Sequence, residues 1–292
     1  MRKLRIGFLV PSYSPQSTSH MPTVMRAFSD AGVVVDVVHP LKQMLELSNV
    51  RVEHDLYVLK KTNRLALSLA GVLHAQGAVI VNPYPVTVAL CDKIITSRIL
   101  QTAGVPTPAS YVASRPDHLG SLLDGGPLIV KPYQGSDGFG VRVVRSVAEL
   151  AAVPAGKDPV FAQRYYPPQG RDRKIYVIGG RVFGVKKVFP ARTDAEKHGE
   201  PFTPTAELRE IALRCGRAFG IDFYRVDIIE SEGKPYVVDM CSIPGCRGVP
   251  DGAAHLASYL CAAAERAALG QPLLVSEAAD RDGSPVVSRV LE

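Results

Sequence analysis

Short apolar runs alternate with segments of helical spacing over the first hundred residues. Apolar runs rich in β-branched residues predict strands over residues 6–10, 33–38, 56–59 and 78–81. Apolar positions at helical spacing predict helices over residues 22–30 and about 64–76. Strands that alternate with helices are typical of a parallel sheet with crossover helices. We therefore expect an α/β domain at the start of the chain.

A proline-rich segment follows the fourth predicted strand. Residues 82–85 read Asn-Pro-Tyr-Pro. Because proline disfavours helix in the residue before it, this segment is predicted to be a rigid, extended connection. A helix is predicted next, from about residue 92 to residue 102, because Gly104 and Pro106 follow it.

The pattern changes from residue 128 onward, where the apolar runs become shorter. Strands are predicted over residues 128–130, 141–144, 160–162, 175–178, 182–185, 223–229 and 236–240. Gly179-Gly180 predicts a hairpin between two of them. Helices are predicted over residues 206–219 and 255–268, and the polar residues from 270 onward as a loosely held tail. This part of the chain therefore predicts an α+β body.

Composition excludes several classes of protein. Hydrophobic residues make up 46% of the 292 residues and charged residues 21%, which excludes wholesale disorder. Five cysteines without a C-x-x-C pair argue against a disulfide scaffold or a zinc ribbon. The apolar stretches are too short for a signal peptide or a membrane span. We expect a cytoplasmic protein with no membrane partner, whose net charge of +6 favours an anionic one.

A lysine followed by a glycine-rich loop is the first candidate for chemistry. Lys131 ends an apolar run, and Gly135, Gly138 and Gly140 follow it. Glycines let the backbone approach a polyphosphate, and the lysine adds a point charge. A hairpin turn with an incidental lysine explains the same residues equally well.

Two further features are a polar strand end and a pair of acids. The end at Gln163-Arg164-Tyr165-Tyr166 could hold a purine edge through its backbone, although alone it favours a surface strand edge.

Asp227 and Asp239 lie in neighbouring apolar strands, where a carboxylate is costly to bury unless paired or bound to metal. We favour a Mg²⁺ site over ion pairs with Arg225 or Arg247.

Residues 171–192 form a basic segment. They contain seven basic residues and one acid, Asp172. A solvated basic face is the default interpretation. Because the segment lies between the glycine loop and the acids, we prefer a cradle for anionic groups of an acceptor. Lys174, Lys187 and Arg192 are its predicted substrate-binding residues, and Lys174 and Arg192 are also candidate catalytic residues together with Lys131.

These features, in this order, resemble the ATP-grasp superfamily over residues 5 to about 268. Residues 92–97 (Asp-Lys-Ile-Ile-Thr-Ser) and 103–108 (Ala-Gly-Val-Pro-Thr-Pro) are similar to the segment that opens an ATP-grasp module. The resemblance implies an ATP-grasp fold of α/β and α+β class. Its parts would be an N-terminal pre-ATP-grasp parallel-sheet domain (1–90), a small lobe with the phosphate loop (91–160) and a C-terminal lobe with the metal site (161–292).

The resemblance also implies roles for individual residues. Lys93 and Lys131 would contact the ATP phosphates, covered by the loop that contains Gly135, Ser136, Gly138 and Gly140. The adenine would lie against Gln163, Arg164, Tyr165 and Tyr166, and the ribose near Asp172. Asp227 and Asp239 would hold one or two Mg²⁺ ions.

Two branches of the superfamily are similar to this chain. RimK-type carboxylate–amine ligases share its length, its glycine loop and the context of Asp172. Inositol polyphosphate kinases are similar around residues 174–179 and 238–249. The short loop without histidine favours the ligases, as does the lack of a visible general base. We expect an ATP-dependent ligase that forms an acyl phosphate on a small acid or peptide, with a kinase acting on a polyol or inositol phosphate as the alternative.

One residue departs from the pattern of both branches, which place Asn at position 241. This chain has Cys241, and a neutral thiol is a poor ligand for Mg²⁺. Ser242 or water could substitute; otherwise the site would hold one metal or turn over slowly. A chain that only binds nucleotide is a further alternative. No nucleic-acid partner is expected, because no reading motif accompanies the basic residues. The acceptor pocket would draw on residues 11–20, 60–63 and 192–204. The sequence allows a homo-oligomer without predicting one.

Overall fold

Three sheets form the framework of the computed structural model, which describes residues 2–13, 17, 19–39, 44–60, 64–135 and 138–273. One sheet is parallel and two are antiparallel, which confirms the α/β and α+β class. Several predictions fall outside the described residues. They concern Ser136 of the glycine loop, residues 14–16, 18 and 61–63 of the expected acceptor pocket, and the tail beyond residue 273.

The first sheet is the parallel one, with strand order β2-β1-β3-β4. Its elements are β1 (Arg5–Leu9), α1 (Met21–Asp30), β2 (Val34–Val38), β3 (Leu56–Leu59), α2 (Arg64–Ala75) and β4 (Ile80–Val81), with a short 3₁₀ turn at Leu47–Asn49. Strand β3 is buried along its whole length, as its continuous apolar run predicts for a parallel sheet covered on both faces. Helix α1 packs on one face beside Phe8, and α2 packs on the other beside Leu9.

The prediction of an extended connection at residues 82–85 is wrong. A helix, α3 (Tyr84–Cys91), begins there with Pro83 as its N-cap residue. Pro85 lies in the first turn, where a missing N–H removes no intrahelical hydrogen bond. The rule about the residue before proline applies to Asn82 and Tyr84, and it does not prevent a helix from starting at Tyr84.

The middle of the chain forms a four-stranded antiparallel sheet of order β5-β8-β6-β7. Its elements are α4 (Lys93–Thr102), β5 (Ser110–Ala113), a 3₁₀ segment (Pro116–Gly125), β6 (Leu128–Pro132), β7 (Arg142–Val144), α5 (Val147–Ala151) and β8 (Val160–Arg164). Strand β8 pairs with β5 as far as Gln163 and with β6 as far as Arg164, so this sheet extends past residue 160, where the second region was expected to end.

The third sheet has five antiparallel strands in the order β11-β10-β9-β12-β13. Its elements are β9 (Asp172–Ile178), β10 (Arg181–Lys187), α6 (Asp194–His198), β11 (Glu200–Phe202), α7 (Ala206–Phe219), β12 (Phe223–Ser231), β13 (Lys234–Ser242) and α8 (Gly252–Ala268). The predicted hairpin at Gly179-Gly180 joins β9 to β10. The described helices include none that is both long and apolar enough to cross a membrane.

The two faces of the five-stranded sheet differ in what covers them. Helix α7 packs on one face, where Ile175, Val177 and Val226 belong to a single apolar core. On the other face, Ile178 and Phe223 share a core with the N-terminal sheet and with α8. That core covers only one end of the face, which leaves the other end for polar side chains.

Candidate active site

Acidic and basic side chains occupy the polar end of the five-stranded sheet. Lys174 of β9 lies opposite Asp227 of β12, and Asp227 lies opposite Asp239 of β13. On the other side of β9, Asp172 lies opposite Lys187 of β10. Residues that oppose each other directly in a sheet share a face. The register therefore brings together five of the residues that the sequence singled out.

Lys174 is the centre of an ion-pair network. Its Nζ donates to Oδ2 of Asp227 at 2.6 Å and to Oδ2 of Asp172 at 3.3 Å. Arg225 donates from Nε to Oδ1 of Asp227 at 2.6 Å. Burial raises the pKa of Asp227, but Arg225 and Lys174 outweigh it and lower the pKa to about 2. Burial dominates at Asp172, whose pKa is raised despite Lys174. Asp227 is thus held as a carboxylate by its ion pair with Arg225, the interaction that the sequence offered as the alternative to a metal site.

Asp239 has a different environment from Asp227. Its side chain makes no hydrogen bond or ion pair with another described residue. Burial raises the pKa of Asp239, Lys93 and Lys131 oppose that rise, and the Asp227 carboxylate adds to it. A cation placed between the two acids would relieve this repulsion.

The donor set fits a magnesium ion that shares its ligands with a nucleotide. No group of three or more His, Cys, Asp or Glu side chains in the described ranges is arranged to hold a metal by itself. Mg²⁺ is usually bound by one or two carboxylates together with substrate phosphates and water. Asp239, with its oxygens free of described partners, and Asp227 opposite it match that requirement.

Cys241 lies on the same face as Asp239, opposite Arg225. Burial raises the pKa of its thiol, so the sulfur is neutral. The neighbouring Ser242 points to the other face, because successive side chains of a strand alternate. Its Oγ accepts a hydrogen bond from Nδ2 of Asn82 at 3.0 Å. The idea that Ser242 replaces the missing Asn as a metal ligand is therefore wrong.

Two lysines, Lys131 of β6 and Lys93 of α4, lie near the acids. Lys131 is 8% exposed, and its Nζ donates to Oε1 of Gln163 at 2.8 Å and to the carbonyl of Val238 at 3.1 Å. Burial lowers the pKa of Lys131 to about 8. Lys93 begins α4, and its Nζ donates to the carbonyl of Gly135 at 2.6 Å. Both ammonium groups thus rest on neutral oxygens that a polyphosphate could replace.

The glycine loop touches the C-terminal lobe. Gly138 and Gly140 both have φ of +74°, a region that disfavours other residues. A Cβ atom on Gly138 would lie 2.5 Å from the ring of Phe189, which follows β10. The loop therefore needs glycine both for its backbone and for its close approach to Phe189.

Side chains at the predicted adenine segment have structural partners. Gln163 holds Lys131 and donates from Nε2 to the Ser110 hydroxyl at 3.1 Å, a positioning role that no sequence pattern indicated. The guanidinium of Arg164 donates to the carbonyls of Leu122 and Gly126. The side chains of Gln163 and Arg164 are thus engaged within the protein.

Tyr165 and Tyr166 continue the segment toward β13. The Tyr165 N–H donates to the carbonyl of Pro127, so it is already satisfied. Tyr166 stacks on Tyr236 with ring centroids 4.3 Å apart and makes no main-chain hydrogen bond to another described residue. Its backbone is the part of the segment that is free to meet a purine edge.

A narrow cavity lies between α4, β8 and β13. It is lined by residues from α4, β8 and β13, with Thr107, and includes Lys93, Gln163 and Asp239. Its volume is about 10 Å³, far less than a nucleotide needs. A nucleotide therefore does not fit this cavity as it stands.

The predicted acceptor residues differ in their placement. Lys187 donates from Nζ to the carbonyl of Lys197 at 2.7 Å, and burial lowers its pKa to about 8. Arg192 is exposed, and only its main-chain N–H is engaged, with Glu196 at 2.6 Å. Among the described contacts, nothing ties Arg192 to the acids, so its role stays a prediction.

Comparisons with known proteins agree with this arrangement. Residues 90–261 match the sequence profile of the RimK-like ATP-grasp domain. A probable alpha-L-glutamate ligase of Aliivibrio fischeri (strain MJ11) is 26% identical over 273 residues, which cover 84% of this chain and 90% of that protein. A ribosomal protein bS6–L-glutamate ligase of Escherichia fergusonii is 30% identical over 172 residues, 54% of this chain and 57% of that protein.

A solved structure shows the same fold. The crystal structure of a D-alanine–D-alanine ligase of Bacillus anthracis complexed with ATP superposes with a TM-score of 0.68 at 19% identity. The superposition covers 92% of this chain and 98% of that one. It includes the parallel sheet that precedes the matched domain. The profile match covers more than half of the chain and contains every predicted nucleotide and metal residue, so the chain belongs to the RimK-like ATP-grasp family.

Proposed function

We propose that this chain is an ATP-dependent carboxylate–amine ligase that forms an acyl phosphate on a small acid or peptide. One observation carries the proposal. Lys93 and Lys131 lie close enough to Asp239 to oppose the rise of its pKa, and Lys131 is also within electrostatic range of Asp227. Lys93 and Asp239 line one cavity, between α4 and β13. Relatives that share this domain are named as ligases, which supports the same reaction class for this chain.

The first step would transfer the γ-phosphoryl group of ATP to a carboxylate oxygen of the acceptor. The P–O bond to ADP breaks as the bond to the carboxylate forms, so the products are ADP and an acyl phosphate. Catalysis of this step consists mainly of positioning and neutralising charge. Lys131 and Lys93 would bind the phosphates in place of their present carbonyl and amide partners. Arg225, fixed by Asp227, would keep positive charge beside the acceptor.

The second step would form the amide. The amine attacks the acyl carbon, inorganic phosphate leaves with the oxygen that came from the carboxylate, and the amine loses a proton. Asp239, with Asp227 opposite it, would hold Mg²⁺, which supplies charge neutralisation to the ATP phosphates when bound. Asp172 and the backbone at Tyr166 would contact the ribose and the adenine.

The geometry favours a ligase over a kinase. A hydroxyl acceptor needs a base to take its proton, whereas a carboxylate is already ionised. Asp227 has its oxygens engaged by Arg225 and Lys174, and its pKa of about 2 makes it a weak base. Lys174 also engages Asp172. The relatives reported above are ligases, in agreement with this argument.

Phosphorus NMR of the protein with MgATP and two acceptor pools tests the proposal. One pool contains amino acids and small peptides, and the other contains polyols with sugar and inositol phosphates. We expect ADP and free phosphate only with the first pool, and neither product with Lys131→Ala. A new phosphomonoester signal from the second pool would establish the kinase instead. ATP bound without any ADP formed would establish a binding module.

A further inference from the structure

Three cations beside the acids have no carboxylate partner among the described residues. Lys60, at the end of β3, donates from Nζ to the carbonyl of Ile243 at 2.7 Å. Lys187 donates to the carbonyl of Lys197. The guanidinium of Arg247 makes no hydrogen bond or ion pair within the described part of the chain. They contrast with Lys174 and Arg225, which both contact Asp227.

These three cations converge on one loop, residues 243–249, which follows β13. Lys60 binds the loop at Ile243, and Arg247 belongs to it. The Tyr176 hydroxyl donates to the carbonyl of Arg247 at 3.5 Å, and the ammonium of Lys187 lies 5.8 Å from the centre of the Tyr176 ring. Arg247 also lowers the pKa of both Lys60 and Lys187, so the three charges lie within electrostatic range of one another. We treat the region between them, bounded by the end of β3, β10 and this loop, as one space.

Burial of these charges is unfavourable in the ligand-free protein. Burial lowers the pKa of Lys60, and the charges of Arg225 and Arg247 act in the same direction. Burial, together with these two arginines, lowers the pKa of Lys187 to about 8. A buried ammonium with only a neutral carbonyl partner keeps most of its desolvation penalty. An anion in this space would receive hydrogen bonds from all three cations and remove their mutual repulsion.

The space is separate from the phosphate side of the site. Lys93 and Lys131, which face the ATP phosphates in the proposed function, come from α4 and β6 of the small lobe. Lys60 comes from the N-terminal domain and lies beside Cys241, two residues beyond Asp239 on the same face. An anion here would lie on the acceptor side of the acids rather than on the ATP side.

We propose that Lys60, Lys187 and Arg247 bind an anionic group of the acceptor that does not itself react, which makes the N-terminal domain a determinant of substrate charge. This inference rests on the proposed function for the identity of the bound molecule as an acceptor. A carboxylate and a phosphate group share the required chemistry, since a guanidinium and two ammonium groups suit either. An acceptor with a second anionic group would bind, and a neutral analogue of the same size would not.

Thermal unfolding with added anions tests the inference without turnover. A non-hydrolysable ATP analogue fills the phosphate site, and succinate or inorganic phosphate is then titrated against chloride of matched ionic strength. We expect either anion to raise the Tm of the unaltered protein. The shift should disappear in Lys60→Met and in Arg247→Gln, and it should persist in Lys157→Met, which removes an exposed lysine elsewhere. The anion with the lower half-saturation identifies the preferred group.

Two results would overturn the inference. One is an unaltered protein that shows no shift beyond that of chloride, and the other is the same shift in both site variants. Arg247→Gln keeps the test decisive if Lys60→Met does not fold. An anion-dependent shift without ADP formation from either acceptor pool would refute the proposed function alone. Ligase activity without the shift would refute only the anion site.

Discussion

Asp227 and Asp239 face each other directly across β12 and β13, yet only Asp227 is held by basic side chains. Two carboxylates in one site thus have opposite environments. Basic partners lower the pKa of Asp227 against its burial, whereas burial prevails at Asp239 and raises its pKa. We infer that Asp227 keeps the site folded and Arg225 in place, and that Asp239 is the more available ligand for a metal.

This difference predicts that two matched substitutions affect the free energy of unfolding to very different extents. Asp227→Asn should lower the free energy of unfolding by about 3 kcal/mol, because Lys174 and Arg225 lose their shared buried carboxylate. Asp239→Asn should change it by less than about 1 kcal/mol, since no described hydrogen bond is lost. Urea unfolding measures both. Equal losses of stability in the two variants would contradict the assignment, as would Mg²⁺-dependent turnover by Asp239→Asn.

The affinity for ATP should depend on pH through Lys131. Its pKa is about 8 in the ligand-free protein because of burial, and the charged form is the one that binds phosphate. Binding should raise that pKa, so the affinity is constant below pH 8 and falls above it, by up to about tenfold per pH unit. Titration of a fluorescent ATP analogue across this range measures the effect.

Lys131→Arg is the control for this pH dependence. Arginine stays charged throughout the range, so the decline above pH 8 should vanish even if the affinity is lower overall. Lys187 also has a pKa of about 8 but belongs to the acceptor side, and it is unchanged in the control. An equal decline in both proteins would assign the titration to another group.

Cys241 should limit the second metal of the site. Cys241→Asn supplies an oxygen on the face of Asp239, so the Mg²⁺ concentration for half-maximal activity should fall several-fold. Ser242→Ala is the matched control, because that side chain points to Asn82 on the opposite face. It should reduce stability and leave the Mg²⁺ dependence unchanged. The same Mg²⁺ dependence in Cys241→Asn as in the unaltered protein would show that position 241 does not contribute a ligand.

The glycine loop should tolerate no side chain at Gly138. Gly138→Ala combines an unfavourable φ of +74° with a contact of 2.5 Å to Phe189, so ATP should bind about tenfold more weakly. Gly32→Ala introduces similar backbone strain, at φ of +80°, without any close contact. That control should lose about 1 kcal/mol of stability and keep its affinity for ATP. Equal ATP affinity in both variants would mean that the loop does not cover the phosphates.

The sequence predicted most of the framework because the signals for it are local. Apolar periodicity located the strands of the parallel sheet and the whole of α7, and the Gly179-Gly180 pair located the hairpin. Helix α3 was missed because the restriction on the residue before proline was extended to the whole segment 82–85, whereas a proline in the first turn of a helix is tolerated.

The site could be predicted only in part, because much of it depends on pairing between distant strands. The order of the motifs predicted Asp227 and Asp239 as a pair of acids. That the two side chains lie on the same face of the sheet depends on the register of β12 and β13. Nothing local distinguishes Ser242, which points away from the acids, from a metal ligand. The hydrogen bond from Lys131 to Gln163 likewise depends on strand pairing, since the two residues are 32 positions apart in sequence. Such contacts appear only when the chain is folded.

The transfer of a labelled carboxylate oxygen tests the central claim most directly. The acid–amine pool is prepared with ¹⁸O in its carboxylates and incubated with the protein and MgATP, and the released phosphate is analysed by mass spectrometry. A carboxylate–amine ligase that acts through an acyl phosphate should transfer one ¹⁸O atom to each phosphate released. Phosphate that contains only oxygen from water or ATP would contradict the account, because no bond between the carboxylate and the γ-phosphorus would then have formed.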